Sequence, residues 1–131
     1  MGQPGAKQGD QVIATDIHIV MIPSPGGPVP TPLPHPFTGL LDNGLSSNVN
    51  IQGKPAATQG STATNTPSHI PQGGPFQKPP TNQSTVQIGS ATVKINGKPA
   101  ARNGDACLTC NDPADTPGGT IIAAGTVMIG G

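Results

Sequence analysis

The sequence predicts an all-β fold of many short strands with internal threefold repetition, and three observations predict it. Gly and Pro contribute 19 and 17 of the 131 residues, and Glu is absent, so nearly every window of about ten residues holds a helix breaker. Short runs of Val, Ile and Thr lie between turn residues, the pattern of strands that end every few positions. The chain also spells nearly the same nine letters three times: GQPGAKQGD at 2–10, GKPAATQGS at 53–61 and GKPAARNGD at 97–105.

Composition narrows the class further. The length suits one domain, residues 1–131, with no room for a fused effector. Only 9% of residues are charged and the net charge is zero, whereas disordered chains combine low hydrophobicity with high net charge. With no Trp, no Tyr and two Phe, the core is thin and a domain of this kind needs an added constraint. Two Cys allow one disulfide at most, which leaves a metal or a partner as the constraint. No stretch reaches the roughly 18 apolar residues of a membrane span, and no secretory leader opens the chain. Synthesis in the cytoplasm and export by another route are therefore expected. The six Lys and Arg residues are scattered singly, which argues against nucleic-acid binding.

Taken in order, the first nine-residue element ends in Gly9-Asp10, where Asp10, like Asp105 in the third copy, is expected to bond nearby backbone amides. Asp16 is the acid nearest His18, placed either as the carboxylate base that a hydrolytic zinc would need or equally as an acceptor that orients that ring. From Met21 to Leu45 the chain is rich in Pro, and PVPTPLPHPF reads as a stiff loop, each Pro fixing φ near about −65°. Such a loop would hold His35 pointed in one direction. Asp42-Asn43-Gly44 and Asp112-Pro113 read as turns. The hexads NVNIQG (48–53) and TVKING (92–97) precede two of the nonads, and TVMIGG (126–131) ends the chain; their alternation places Val and Ile on one face. Double glycines follow Ser24-Pro25, Pro71-Gln72 and Thr116-Pro117 as a further mark of each third. The last hexad has nothing after it and the first nonad nothing before it. Joined in space they complete a third unit, which predicts a closed ring rather than the stacked solenoid that is its main competitor.

The residues after each turn glycine carry the chemistry. His18 lies nine positions beyond Gly9, His69 nine beyond Gly60 and Cys110 six beyond Gly104, and His35 is the one other His. Imidazole nitrogen and thiolate sulfur are zinc ligands, and four of them make a closed, structural site. Cys107 competes, because Cys107-Leu-Thr-Cys110 can ligate through either sulfur or both. Repeat spacing favours Cys110 and leaves Cys107 as a small buried hydrophobe. Catalysis finds little support, a small zinc hydrolase being motivated only by the imidazole cluster: no Ser, His and Asp set has a recognisable elbow, and no Gly-rich loop leads into a helix.

The letters at 99–102, Pro-Ala-Ala-Arg, and at 55–58, Pro-Ala-Ala-Thr, resemble the PAAR-repeat proteins that tip the spike of contractile injection machines, among them type VI secretion systems, phage tails and extracellular particles. The resemblance implies a small cone with pseudo-threefold symmetry, its apex tied by one zinc ion. By position the ligands would be His18, His35, His69 and Cys110. It implies a non-enzymatic tip seated on a trimeric VgrG-like spike, one tip per trimer, expelled on firing and touching the target membrane only transiently. A separate effector cargo attached through the Pro-rich segment is the alternative role. The first copy departs from the pattern, reading Pro-Gly-Ala-Lys.

Overall fold

The computed structural model describes residues 2–71, 73–112 and 114–130. Gln72 of the second double-glycine element, Pro113 of the expected Asp-Pro turn and Gly131 of the last hexad lie outside them. None of the described residues is helical. They form twelve strands: β1 (Gln3–Pro4), β2 (Gln11–Ile22), β3 (Val29–Asn43), β4 (Asn50–Ile51), β5 (Lys54–Pro55), β6 (Thr62–Asn65), β7 (Gln83–Val86), β8 (Lys94–Ile95), β9 (Lys98–Pro99), β10 (Ala106–Thr109), β11 (Thr116–Ile122) and β12 (Met128–Ile129).

Six of these close into a barrel in the order β10-β11-β2-β3-β6-β7, and the other six form three two-stranded hairpins, β4-β5, β8-β9 and β12-β1. The third hairpin joins the two ends of the chain, Gln3 opposite Ile129 and Pro4 opposite Met128. The expected ring is therefore closed, and each third reads hairpin, nonad, outgoing strand (β2, β6 or β10) and returning strand (β3, β7 or β11).

The nonad repeats because three copies of it must hydrogen-bond to one another. Ala6 N–H donates to the Ala101 carbonyl (2.9 Å), Ala101 to Ala57 (3.0 Å) and Ala57 back to Ala6 (3.0 Å). A second ring runs from Gln8 to Pro55, Gln59 to Pro99 and Asn103 to Pro4. Buried backbone polar groups have to be paired, and here each third satisfies its neighbour. All three ring alanines are fully buried, so the backbones meet where only a methyl group fits. Gly9, Gly60 and Gly104, at φ 89°, 94° and 87°, turn each copy into its outgoing strand, a left-handed conformation that costs Gly least. After them Asp10 and Asp105 accept from the Lys7 and Arg102 backbone N–H at 3.0 and 2.7 Å, as expected, and Ser61 Oγ does the same for Thr58 at 2.9 Å.

Two apolar clusters lie on either side of the ring. Ile51, Ile95 and Ile129 fill the hairpin side with Ala56 and Ala100, while Phe37, Leu41, Val12, Val86 and Ile121 fill the barrel. The Val of each hexad is only partly covered, Val93 and Val127 remaining 36% and 40% exposed, so Ile is the residue that faces the axis. Gly5 explains the departure in the first copy: a Cβ there would stand 2.8 Å from Ile129 Cδ1 and 2.9 Å from Ile51 Cδ1. Cys107 is buried in the barrel cluster, two residues past Asp105 as Val12 and Ala63 are two past Asp10 and Ser61. It is the small hydrophobe the spacing favours.

Two expectations are corrected. The Pro-rich segment is not a loop. It is most of the 15-residue strand β3, paired with β2 from Gln11–Leu40 to Ile22–Val29. The double glycines mark different steps: Gly26-Gly27 turn between β2 and β3, Gly73-Gly74 lie between β6 and β7, and Gly118-Gly119 are inside β11.

Candidate metal centre

Along β2 the even-numbered residues face inward, giving Val12, Asp16, His18 and Val20 at 1% exposure or less. On β3 the odd-numbered residues do so, which buries His35 and Phe37. Strand alternation thus delivers two imidazoles to the barrel interior. Cys110 follows β10 directly. His69 comes from the irregular stretch between β6 and β7. The ring centroids of His18, His35 and His69 are 4.9–5.5 Å apart, and Phe76 packs on His18 and His35 at 5.7 and 5.4 Å.

The four residues whose ligand atoms all lie within 4.8 Å of one another are Asp16, His18, His69 and Cys110. Cys110 Sγ stands 3.3 Å from Asp16 Oδ2 and 3.6 Å from His18 Nε2, and His69 Nε2 is 2.9 Å from the same Asp16 oxygen. His35 is outside that group. Its Nδ1 donates to the Leu33 carbonyl at 2.9 Å, which leaves Nε2 as the acceptor, and that buried Nε2 has no hydrogen-bond partner among the described residues. Asp16 serves differently from expectation. It hydrogen-bonds His69, while the acid beside the His18 ring is Asp112, whose Oδ2 lies 3.7 Å from Nδ1.

The electrostatics follow from burial. Burial holds the His18 pKa below its ordinary value, reinforced by the His69 ring, against the pull of Asp112 and Asp16. Burial pushes the Cys110 thiol up to about 11, and the Asp16 carboxylate raises it further, while contacts to Asn82 and Thr81 work the other way. Cys107 is likewise pushed up to about 11 by burial. A neutral imidazole and a thiol that must lose its proton are the raw materials of a soft-metal site. The lone pair on His35 Nε2 is what a metal would satisfy. The donor set therefore fits a metal ion.

Sequence reasoning placed three of these groups through the repeat register. It read Asp112 only as a turn, whereas Asp112 Oδ2 accepts from Ile19 N–H at 2.8 Å and Asn111 Oδ1 from Ile17 N–H at 2.6 Å. It also passed over Phe76 and Asn65. Phe76 had one available signal, being one of two aromatic residues other than His in the chain.

The family model described as "PAAR motif" matches residues 21–114. Two curated proteins of Pseudomonas aeruginosa, "NAD(P)(+) glycohydrolase toxin Tse6" and, from strain UCBPP-PA14, "(p)ppApp synthetase toxin Tas1", are each 43% identical over 70 residues. That match takes in 53% of this chain and 15% of either toxin's length.

Proposed function

The chain belongs to the PAAR-motif family, and from that premise we propose that it is the structural tip of a contractile injection system's spike. It would cap a trimeric VgrG-like protein, one tip per trimer, and sharpen it for entry into a membrane. The observation that carries this reading is the hairpin end of the molecule. Three near-copies of one hairpin, tied together by the alanine ring, stand opposite the candidate metal centre. A trimer's end offers three equivalent sets of unpaired strand edges, and a threefold chain can extend each of them by β-augmentation. Residues 1–131 act in this proposal as one PAAR-repeat unit. Among the described residues there is no helix long and apolar enough to cross a membrane. In this proposal the protein leaves by way of the apparatus and meets the membrane transiently.

The metal in this proposal is one zinc ion, held by His18, His69 and Cys110 with His35 Nε2 as the fourth donor, and zinc at His69 Nε2 would take the place of the proton that this nitrogen shares with Asp16. Zinc bound this way supplies cross-linking of three thirds of the chain and no turnover. The residues themselves do the rest: β2 and β3 aim two imidazoles, Leu33 fixes the His35 tautomer, and Phe76 covers the rings.

Native mass spectrometry of this chain mixed with the trimeric spike protein encoded nearest to it tests the proposal. The expected species is one tip per trimer, heavier by one zinc. A free chain without metal would remove the spike-tip reading.

The toxin relatives favour a second role, attachment of an effector to the spike. Since deletion of residues 28–36 would take His35 with it, exposed positions such as Val29 and Pro30 are the ones to change. Cargo that co-purifies with the native chain and is lost on Val29→Asp and Pro30→Asp would support that role, and unchanged recovery would dismiss it.

A further inference from the structure

The three imidazoles are not held alike. His18 and His35 sit on strands paired through twelve successive positions from Gln11–Leu40 to Ile22–Val29, so the ladder fixes their backbones. His69 lies outside every strand, four residues beyond the end of β6. Something other than a ladder must hold it.

We propose that Asn82 forms an amide clamp that positions His69 for the metal, an inference that rests on the metal centre proposed above. Asn82 Oδ1 accepts from the His69 backbone N–H at 2.8 Å and from Asn65 Nδ2 at 3.2 Å. Asn65 Nδ2 also lies 3.3 Å from His69 Nδ1. The orientation of each amide is set from outside the cluster. Asn65 Oδ1 accepts from Thr38 N–H at 2.9 Å, which turns its nitrogen toward the ring. Asn82 Nδ2 faces the Pro80 carbonyl at 3.3 Å, which turns its oxygen toward His69. The two backbones are joined as well, Asn65 N–H donating to the Asn82 carbonyl at 2.7 Å.

Asn82 is held at φ +57°, a left-handed conformation that Asn tolerates better than most residues. That conformation lets one residue present its side-chain oxygen to His69 while its backbone contacts the Cys110 thiol. The clamp thus joins a ligand of the second third to a ligand of the third. Zinc at Nε2 needs the ring proton on Nδ1, where the Asn65 nitrogen offers no acceptor, so the hold on His69 is the Asn82 oxygen at its backbone. Losing an outer partner of a ligating residue typically weakens metal affinity by about 10–100-fold.

Asn82→Gly tests the clamp, because Gly keeps the left-handed backbone without strain and removes only the amide. Zinc affinity by chelator competition is expected to fall at least about tenfold, and Asn82→Asp, which keeps the acceptor oxygen, is expected to restore most of it. Ring ¹⁵N shifts of His69 should change in Asn82→Gly while those of His18 and His35 stay put. Native zinc affinity within about twofold and unshifted His69 resonances would overturn the clamp. Should Asn82→Gly fail to fold, the His69 backbone amide of the native zinc-loaded chain gives the answer instead. Its acceptor is Asn82 Oδ1, so hydrogen exchange there as fast as in an open loop overturns the clamp. A native chain that takes up no zinc would refute the metal centre itself, a different outcome from zinc bound equally well with and without the amide.

Discussion

At the scale of single residues, burial has moved two groups of the site, the His18 imidazole down and the Cys110 thiol up. Two titrations bound the stability of the protein without metal, and their signs are opposite. The His18 pKa is lowered in the folded chain, so unfolding takes up a proton once the pH falls below the ordinary value of 6.5, and stability declines from there downward. Cys110 is raised from 9.0 to about 11, so its contribution is intact below pH 9 and is lost as the pH rises from about 9 to 11. Chemical denaturation of metal-free protein should therefore show its highest midpoint between about pH 6.5 and 9; a midpoint still rising at pH 10 would contradict the assignment of Cys110. Cys110→Ser is predicted to abolish stoichiometric zinc and to lower the thermal midpoint by roughly 4 °C for each kcal/mol of metal stabilisation lost. Unchanged metal content by elemental analysis would remove Cys110 from the set. The register of the repeats made His18, His69 and Cys110 legible, because equal spacing from a turn glycine puts residues at equal height. Asp16 was legible as the acid nearest His18 but not in its role, since its partner His69 arrives from 53 positions away.

At the scale of elements the instructive case is β3. Its prolines read as loop because Pro cannot donate to a ladder, yet Pro30, Pro32, Pro34 and Pro36 alternate with residues that can. The even-numbered residues His18 and Val20 of β2 oppose Leu33 and Thr31, while Ile17, Ile19 and Met21 direct their backbone groups to the other side, toward Asn111, Asp112, Pro75 and Gln77. Every Pro nitrogen of β3 therefore points away from β2. Strand β6 covers the outer edge of β3 only from Gly39 to Asn43, so the edge from Pro30 to Pro36 carries carbonyls and no N–H donor. Two such edges cannot pair with each other. We predict that Pro32→Thr with Pro34→Thr, which restores two outward N–H groups, turns a monomer into concentration-dependent dimers or larger species in light scattering. A strictly monomeric double variant would show that the prolines serve another purpose. No propensity scale could have placed this strand, because the deciding quantity is the parity of the prolines relative to a partner strand.

At the scale of the whole molecule, repetition in the sequence was enough to predict a closed threefold object. The hairpin between Gln3–Pro4 and Met128–Ile129 is the joint that the truncated end copies implied. The long first third was not foreseen: β2 and β3 run 12 and 15 residues, whereas their counterparts run four to seven. A circular permutant, with residue 130 linked to residue 2 through glycines and new ends between Gln52 and Gly53, should keep its β circular dichroism, its cooperative unfolding and its metal. Loss of all three would mean that the β12–β1 junction differs in kind from the β4–β5 hairpin.

The ring of Ala6, Ala57 and Ala101 also fixes how many copies the gene can carry. In a stacked array each unit touches only its neighbours, so units can be gained or lost and the fold survives at a new length. Here the third N–H returns to the first carbonyl. A two-copy chain would leave a donor and an acceptor facing nothing, and a fourth copy would have no open bond to enter. Duplication, the ordinary way for repeats to diverge in number, is closed to this protein, and its copies are free to drift only in their letters and in the lengths of what lies between them.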